Sequence, residues 1–352
     1  MRAARWIEHR ESRGATRALA PLALAYGLGA ALHRGLFERG WLRRRQISCR
    51  VLCVGGLLVG GSGKTPVAAV LALELKRRGL RVVLGTRGYG RGRGRDVAMI
   101  SDGRGLCGDP LRRGDEPLLL AGRAPGVPVW VGGDRGLAGL RAVALFDAEV
   151  LVLDDGFQHH RLARDLDIVT LDGHFGLGNG CVLPRGPLRE PLAALSRADA
   201  LVVVDGPLPQ ADRERIEAHA PGVAWFGATR WISSVASLAG DVKDDPSCLA
   251  GARVGLISGL ARPQALRRSL EALGAEVVAE RIFPDHHRYR ARDLKGLGAE
   301  AAHWITTEKD AVKILPSWGG SDRIRVVRES LGFEAGEAFV DWLAERLSGA
   351  RG

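Results

Sequence analysis

The chain has 352 residues, 46% of them apolar and 5% aromatic, and a formal net charge of +11. That length and apolar share suffice for roughly two domains. Its five cysteines (Cys49, Cys53, Cys107, Cys181, Cys248) form no C-x-x-C pair and no histidine stands at zinc-finger spacing, which excludes a disulfide framework and a structural zinc site and fits a reducing cytoplasm. The basic excess is mostly arginine spread along the chain. With few aromatics and no RNA-recognition signature, no nucleic-acid partner is expected, and no protein partner is implied.

The N-terminus is basic from Arg2 to Arg17 and then apolar from Ala18 to Leu32. Glu8 and Glu11 in the leading segment argue against a signal peptide. The apolar run is shorter than the ~20 residues of a spanning helix, and Pro21, Gly27 and Gly29 are expected to interrupt it. Helical segments lying on a surface are predicted. That surface is either the protein's own core or a membrane interface with arginines facing anionic headgroups.

Val51 to Pro66 reads VLCVGGLLVGGSGKTP, a hydrophobic strand running into a glycine-rich turn that ends in Gly-Lys-Thr. This is the layout of a phosphate cradle. Residues Leu58, Val59, Gly60, Gly61, Ser62, Gly63, Lys64 and Thr65 are the candidate nucleotide-binding set. The glycines let successive backbone N–H groups converge on phosphate oxygens, and the following helix aims the positive end of its dipole there. Lys64 would reach the β/γ-phosphates and the Thr65 hydroxyl would ligate Mg²⁺. In the strict pattern the first glycine falls at position 58, where this chain has leucine.

Beyond the loop, helical and extended patterns alternate. A helix is predicted over Thr65 to Arg78, with strands at Arg81 to Leu84, Val127 to Val131, Glu149 to Leu153, Asp167 to Leu171 and Ala200 to Val204. The pattern weakens into a mixed Trp/Ser/Thr stretch over Ala224 to Ser237. A new unit begins at Arg253, with a helix over Pro263 to Leu273 and strands at Ala275 to Ile282 and His303 to Thr306. The expected class is α/β: a P-loop NTPase-like, doubly wound, mostly parallel sheet over residues 1–228, followed by a smaller α/β domain over 229–352.

Three further segments carry chemical potential. Leu151 to His160 is an apolar strand ending in Asp154 and Asp155, the acidic partner that a phosphate loop needs to hold Mg²⁺. Gly114-Asp115-Glu116-Pro117 opens an apolar helix, and from the residues alone Asp115 reads as its cap. Phe283 to Tyr289 contains adjacent histidines, which offer a base near neutral pH or a polar loop between domains. Thr307-Glu308-Lys309-Asp310 only superficially suggests a guanine-reading segment.

Together these segments resemble the tetraacyldisaccharide 4'-kinase family. The likeness runs through VGGSGKTP, GTRGYGR at Gly85 to Arg91, GDEP at Gly114 to Pro117, GGDR at Gly132 to Arg135, DDGFQHH at Asp154 to His160, LPRGPLREP at Leu183 to Pro191, FPDHHRY at Phe283 to Tyr289 and ITTEKDAVK at Ile305 to Lys313. The resemblance implies ATP-dependent phosphorylation of the lipid A disaccharide precursor at its 4'-hydroxyl, with Mg²⁺ as cofactor and two α/β domains flanking the reaction cleft. It implies that Asp115 is the catalytic acid/base, that His286 pairs with it, and that Lys64 neutralises phosphate charge. Thr65 with Asp154 or Asp155 would hold the metal, with Glu190 of the LREP segment as a further metal candidate. A lipid substrate implies peripheral or monotopic attachment to the anionic cytoplasmic face of the inner membrane through the N-terminal region.

Overall fold

In a computed structural model the described residues are 16–88, 97–107, 114–240, 243–285, 287–298 and 300–349, with backbone alone at Asp115. Arg2 to Arg13 and His286 therefore lie outside the described residues.

The first α-helix is α1 (Ala20–Glu38), a single helix that runs through Gly27 and Gly29 without a break. This differs from the expected interruption. Pro21 stands in the first turn, where a missing N–H costs nothing, and Gly27 lies on the buried face with Ala23 and Phe37. Its neighbours Leu22, Leu24, Leu28 and Leu32 are 60–65% exposed. Among the described residues no helix is long and apolar enough to cross a membrane.

The next elements are β1 (Arg50–Gly56), α2 (Lys64–Arg77), β2 (Val82–Thr86), β3 (Ala98–Ser101), α3 (Asp115–Arg123), β4 (Val129–Val131), α4 (Arg135–Phe146), β5 (Val150–Asp154), β6 (Leu166–Asp172) and β7 (Ala200–Val204). Strands β1, β2, β5, β6 and β7 are buried nearly throughout, as the near-continuous apolar runs of a two-sided parallel sheet require. β1 lies between β5 and β6, parallel to both, with Val54 opposite Asp154 on one side and Ile168 on the other. Parallel pairing puts the carboxyl ends of these strands on one edge, where ligands of open α/β sheets bind. Gly55 permits a close approach at this edge: a Cβ there would lie 2.5 Å from Phe157 Cβ, so the DDGFQ turn packs directly on β1.

The remaining elements are α5 (Gln210–Glu217), β8 (Ala224–Ser237), β9 (Lys243–Asp244), β10 (Arg253–Ser258), α6 (Pro263–Ala272), β11 (Glu276–Ile282), β12 (His303–Thr307), α7 (Glu308–Ala311), β13 (Ile324–Phe333) and α8 (Glu337–Ser348). The weak Trp/Ser/Thr stretch is thus a 14-residue strand. Its first half pairs parallel with β7 at Ala224 to Ala228, and its second half pairs antiparallel with β13 from Ala228 to Ser237. One sheet therefore runs through both halves of the chain, in the order β11-β10-β12-β13-β8-β7-β6-β1-β5-β2-β4-β3. The expected boundary between residues 228 and 229 falls inside β8. The largest core cluster joins α2 (Val67, Leu71, Leu75) to α8 (Phe339, Leu343, Leu347) across the central strands, so the C-terminal helix packs on the N-terminal half of the sheet.

Candidate active site

The glycine-rich turn links β1 to α2. Gly63 occupies the N-cap of α2 at φ +81, a conformation side chains resist, and a Cβ there would lie 3.1 Å from Val204 Cγ2. The Leu58 side chain is buried in an apolar cluster with Leu57, Phe157 and Leu188, and the Val59 amide donates to the Pro187 carbonyl at 2.9 Å. These two residues anchor the turn, and the glycines that follow form its open part. Ser62 is buried with its hydroxyl 2.9 Å from Thr170 Oγ1. A second anchor comes from the C-terminal half: Arg262, ahead of α6, donates to the carbonyls of Val59 (3.1 Å) and Gly61 (3.4 Å), and its guanidinium stacks 3.6 Å over the Phe175 ring.

Lys64 reaches back over the loop, donating to the Gly60 carbonyl at 3.3 Å and lying 3.7 Å from Asp155 Oδ1. Burial lowers its ammonium below the usual value, with Asp155 opposing the shift. The Thr65 hydroxyl donates to Asp154 Oδ2 at 2.9 Å, while Asp154 Oδ1 is buried and lacks a hydrogen-bond partner among the described residues. Burial, then Glu116 and Asp155, push the Asp154 carboxyl up to about 7. A buried carboxylate with a free oxygen beside a threonine hydroxyl fits a hard divalent cation, and Mg²⁺ is ordinarily held through one or two carboxylates plus substrate phosphates. Among the described residues, no three histidine, cysteine or acidic side chains group to hold a metal by themselves.

Asp155, at φ +53, is held differently from its neighbour. It accepts from Arg189 at 2.7 Å, and its carbonyl accepts from the buried Arg135 at 2.8 Å. Burial alone would raise its carboxyl, but Lys64 and Arg189 outweigh that and hold it below the usual range. Glu190 is buried with both oxygens engaged, taken by Arg197 at 3.1 and 3.2 Å and by Gln158 at 3.2 Å. It lies in the same network as Asp155 through Gln158, which also accepts from Arg189.

Asp115 is the first residue of α3, and Gly114 at φ +82 occupies the cap position that the sequence assigned to Asp115. Glu116, which sequence reasoning left without a role, lines the main cavity and acts on Asp154 through space. That cavity encloses about 1500 Å³ and extends from the glycine-rich turn and Asp154 to Tyr26, His33 and Phe37 of α1 and to Arg262 and Lys309 of the C-terminal half. The Tyr26 hydroxyl donates to the Arg189 carbonyl at 3.0 Å, fastening α1 to the segment that holds Asp155. His160, beneath α1, packs against His33 and Phe37, and burial lowers its imidazole to about 3. These cross-element contacts had no signal in the sequence beyond the presence of Arg189 and His160 in recognisable segments.

Residues 15–348 match the family model described as tetraacyldisaccharide-1-P 4'-kinase. The chain is 44% identical over 360 residues to a tetraacyldisaccharide 4'-kinase of Anaeromyxobacter sp. (strain Fw109-5), covering 98% of this chain and 95% of the relative. It is 41% identical to the protein of that name from Syntrophus aciditrophicus, over 83% of each. Among solved structures it resembles the apo form of LpxK from Aquifex aeolicus in complex with ATP, with a TM-score of 0.74 and 30% identity, covering 94% of this chain and 99% of that one.

Proposed function

The chain belongs to the tetraacyldisaccharide 4'-kinase family, and on that premise we propose how its residues divide the work of moving the γ-phosphate of ATP to the 4'-hydroxyl of a tetraacyldisaccharide 1-phosphate. The observation that carries this reading is the one cavity shared by Gly60 to Thr65, Asp154 and the inner face of α1. It gives a nucleotide and a lipid headgroup a common chamber.

In the transfer, the 4'-oxygen bonds to the γ-phosphorus as the bond to the β,γ-bridging oxygen breaks, and ADP departs with that electron pair. Asp115 accepts the hydroxyl proton and His286 orients and tunes it. The backbone N–H groups of Gly60 to Gly63 cradle the phosphates, and Lys64 neutralises charge at the β/γ-oxygens. Thr65 and Asp154 hold Mg²⁺, which when bound offsets the negative charge of the triphosphate. Asp155 holds Lys64 and Arg189 in place. Glu190 becomes a metal ligand only by exchanging Arg197 and Gln158 for the ion.

The outward leucines of α1, followed by the exposed Trp41 and the arginines 43–45, suit a helix lying in a bilayer interface with basic residues at the headgroups. Attachment is peripheral or monotopic, on the anionic cytoplasmic face of the inner membrane where ATP is available. Incubating the purified chain with γ-labelled ATP and detergent-dispersed tetraacyldisaccharide 1-phosphate tests the reaction. Label at the 4'-position supports it, and ATP hydrolysis indifferent to the lipid would sink it.

A further inference from the structure

The Thr307-Glu308-Lys309-Asp310 segment has no part in the roles above, yet its contacts are unusual in reach. It turns from β12 into α7 and is fixed from below by Asp310, which is fully buried and accepts from the Gly259 amide at 2.7 Å and from Lys313 at 2.6 Å. Gly259 begins the loop that ends at Arg262 on the phosphate turn. The two residues before Asp310 then bind two different parts of the molecule.

Glu308 accepts from Arg123 Nε at 3.3 Å, and Arg123 stands in the last turn of α3, the helix that begins at Asp115. Arg328 strengthens the same junction, pairing with Glu308 at 3.4 Å and donating to the Gly122 carbonyl at 2.9 Å. Lys309 donates to Asp285 Oδ1 at 3.0 Å, and Asp285 immediately precedes His286 in the chain. Arg123, Asp285, Thr307 and Lys309 all line the main cavity. Side-chain exposure is 10% and 23% in the Arg123–Glu308 pair, which is the better shielded from solvent, and 18% and 35% in the Lys309–Asp285 pair, where Asp285 stands at the surface. A nine-residue helix is a stiff rod, so a clamp at its carboxyl end fixes where its first residue stands.

We propose that Glu308 and Lys309 are positioning residues: a two-armed electrostatic bracket, footed on Asp310, that sets the spacing between the Asp115 helix and the Asp285 turn for phosphoryl transfer. This rests on the reading that Asp115 and His286 form the proton-transfer pair. The bracket works through geometry, because neither residue need touch ATP or the sugar. Its failure costs alignment, to which transfer rates are steeply sensitive, and leaves nucleotide binding largely intact.

The test is a charge exchange in the full chain, with ATP and detergent-dispersed tetraacyldisaccharide 1-phosphate. Lys309→Glu and Asp285→Lys each lower kcat about tenfold or more while KM for ATP moves by less than about threefold, and the double exchange recovers most of the loss. A double variant no better than its singles overturns the proposal, because Lys309 then meets a ligand directly. A larger change in ATP KM than in kcat overturns it too. Asp115→Asn is measured beside them: near-normal turnover there removes the proton-transfer reading itself, whereas an inactive Asp115→Asn with a fully active Lys309→Glu removes only the bracket. Should Lys309→Glu fail to fold, Lys309→Arg and Lys309→Met decide the same question. Arginine is expected to keep kcat and methionine to lose it, and equal activity in both overturns the bracket.

Discussion

The Thr65 hydroxyl donates to Asp154 Oδ2 across 2.9 Å, joining the first turn of α2 to the last residue of β5 at the edge where the parallel strands end. The pair leaves one oxygen of a buried carboxylate without a partner among the described residues. Such a carboxylate is poorly accommodated until a cation arrives, and that has consequences for stability as well as for the reaction.

Asp154 is therefore expected to destabilise the metal-free protein above neutral pH. Its carboxyl is raised from 3.8 to about 7 by burial and by Glu116 and Asp155. The proton favours the folded state, so the associated stability is fully present below the ordinary carboxyl value and is lost as pH rises through about 7. In thermal melts without metal, Asp154→Asn should unfold a few degrees above the parent at about pH 8, and the gap should close toward about pH 4. Phosphoryl transfer by the same variant should drop ~10²-fold or more. A parent no less stable than the variant at alkaline pH would contradict the assigned shift.

Lys64→Ala should lose ~10² or more in kcat with the fold intact, since the lysine acts on developing phosphate charge and is tied mainly to Gly60 and Asp155. Circular dichroism establishes the fold and single-turnover kinetics the loss. Near-normal chemistry in the folded variant is the outcome that removes the phosphate-cradle assignment.

The glycine-rich turn between β1 and α2 was legible in the sequence as a local pattern, glycines after an apolar strand and before a helix. The place of Asp154 was legible for the same reason, at the end of a buried strand. β8 was not legible. Its two halves pair with strands of opposite direction, its exposed positions are Thr229 and Trp231, and no single periodicity describes it. α1 was misjudged at Gly27, which lies on the packed face of an unbroken helix, where a Cβ would meet Val182 at 3.4 Å. Contacts such as Arg262 on Val59, 203 residues apart, arise only once the sheet has brought the halves together.

The outer face of α1 should govern membrane association. Replacing Leu24, Leu28 and Leu32 with glutamate removes apolar surface that is already 62–65% exposed, so melting temperature should change little. Sedimentation with vesicles containing anionic lipid should fall sharply, and high salt should weaken binding of the parent by screening its arginines. Turnover on detergent-dispersed substrate should survive better than turnover on substrate in vesicles. Unchanged vesicle binding by the triple variant would mean that α1 does not contact the bilayer.

The final prediction concerns Asp115 and His286, which are 171 positions apart in the chain and belong to its two halves. Asp115→Asn removes the proton acceptor and keeps the size of the side chain, and His286→Ala removes the group that orients it. If they act as a unit, each change lowers kcat by ~10² or more, and the double variant is little worse than the poorer single one. Apparent ATP affinity should move far less, because the phosphate turn is fixed separately by Pro187 and Arg262. Gly114 occupies the helix cap, so Asp115→Asn is also expected to leave thermal stability nearly unchanged. Losses that multiply in the double variant would show two independent contributions. A nearly silent Asp115→Asn would transfer the search for the base to Glu116, the neighbouring carboxylate that lines the cavity.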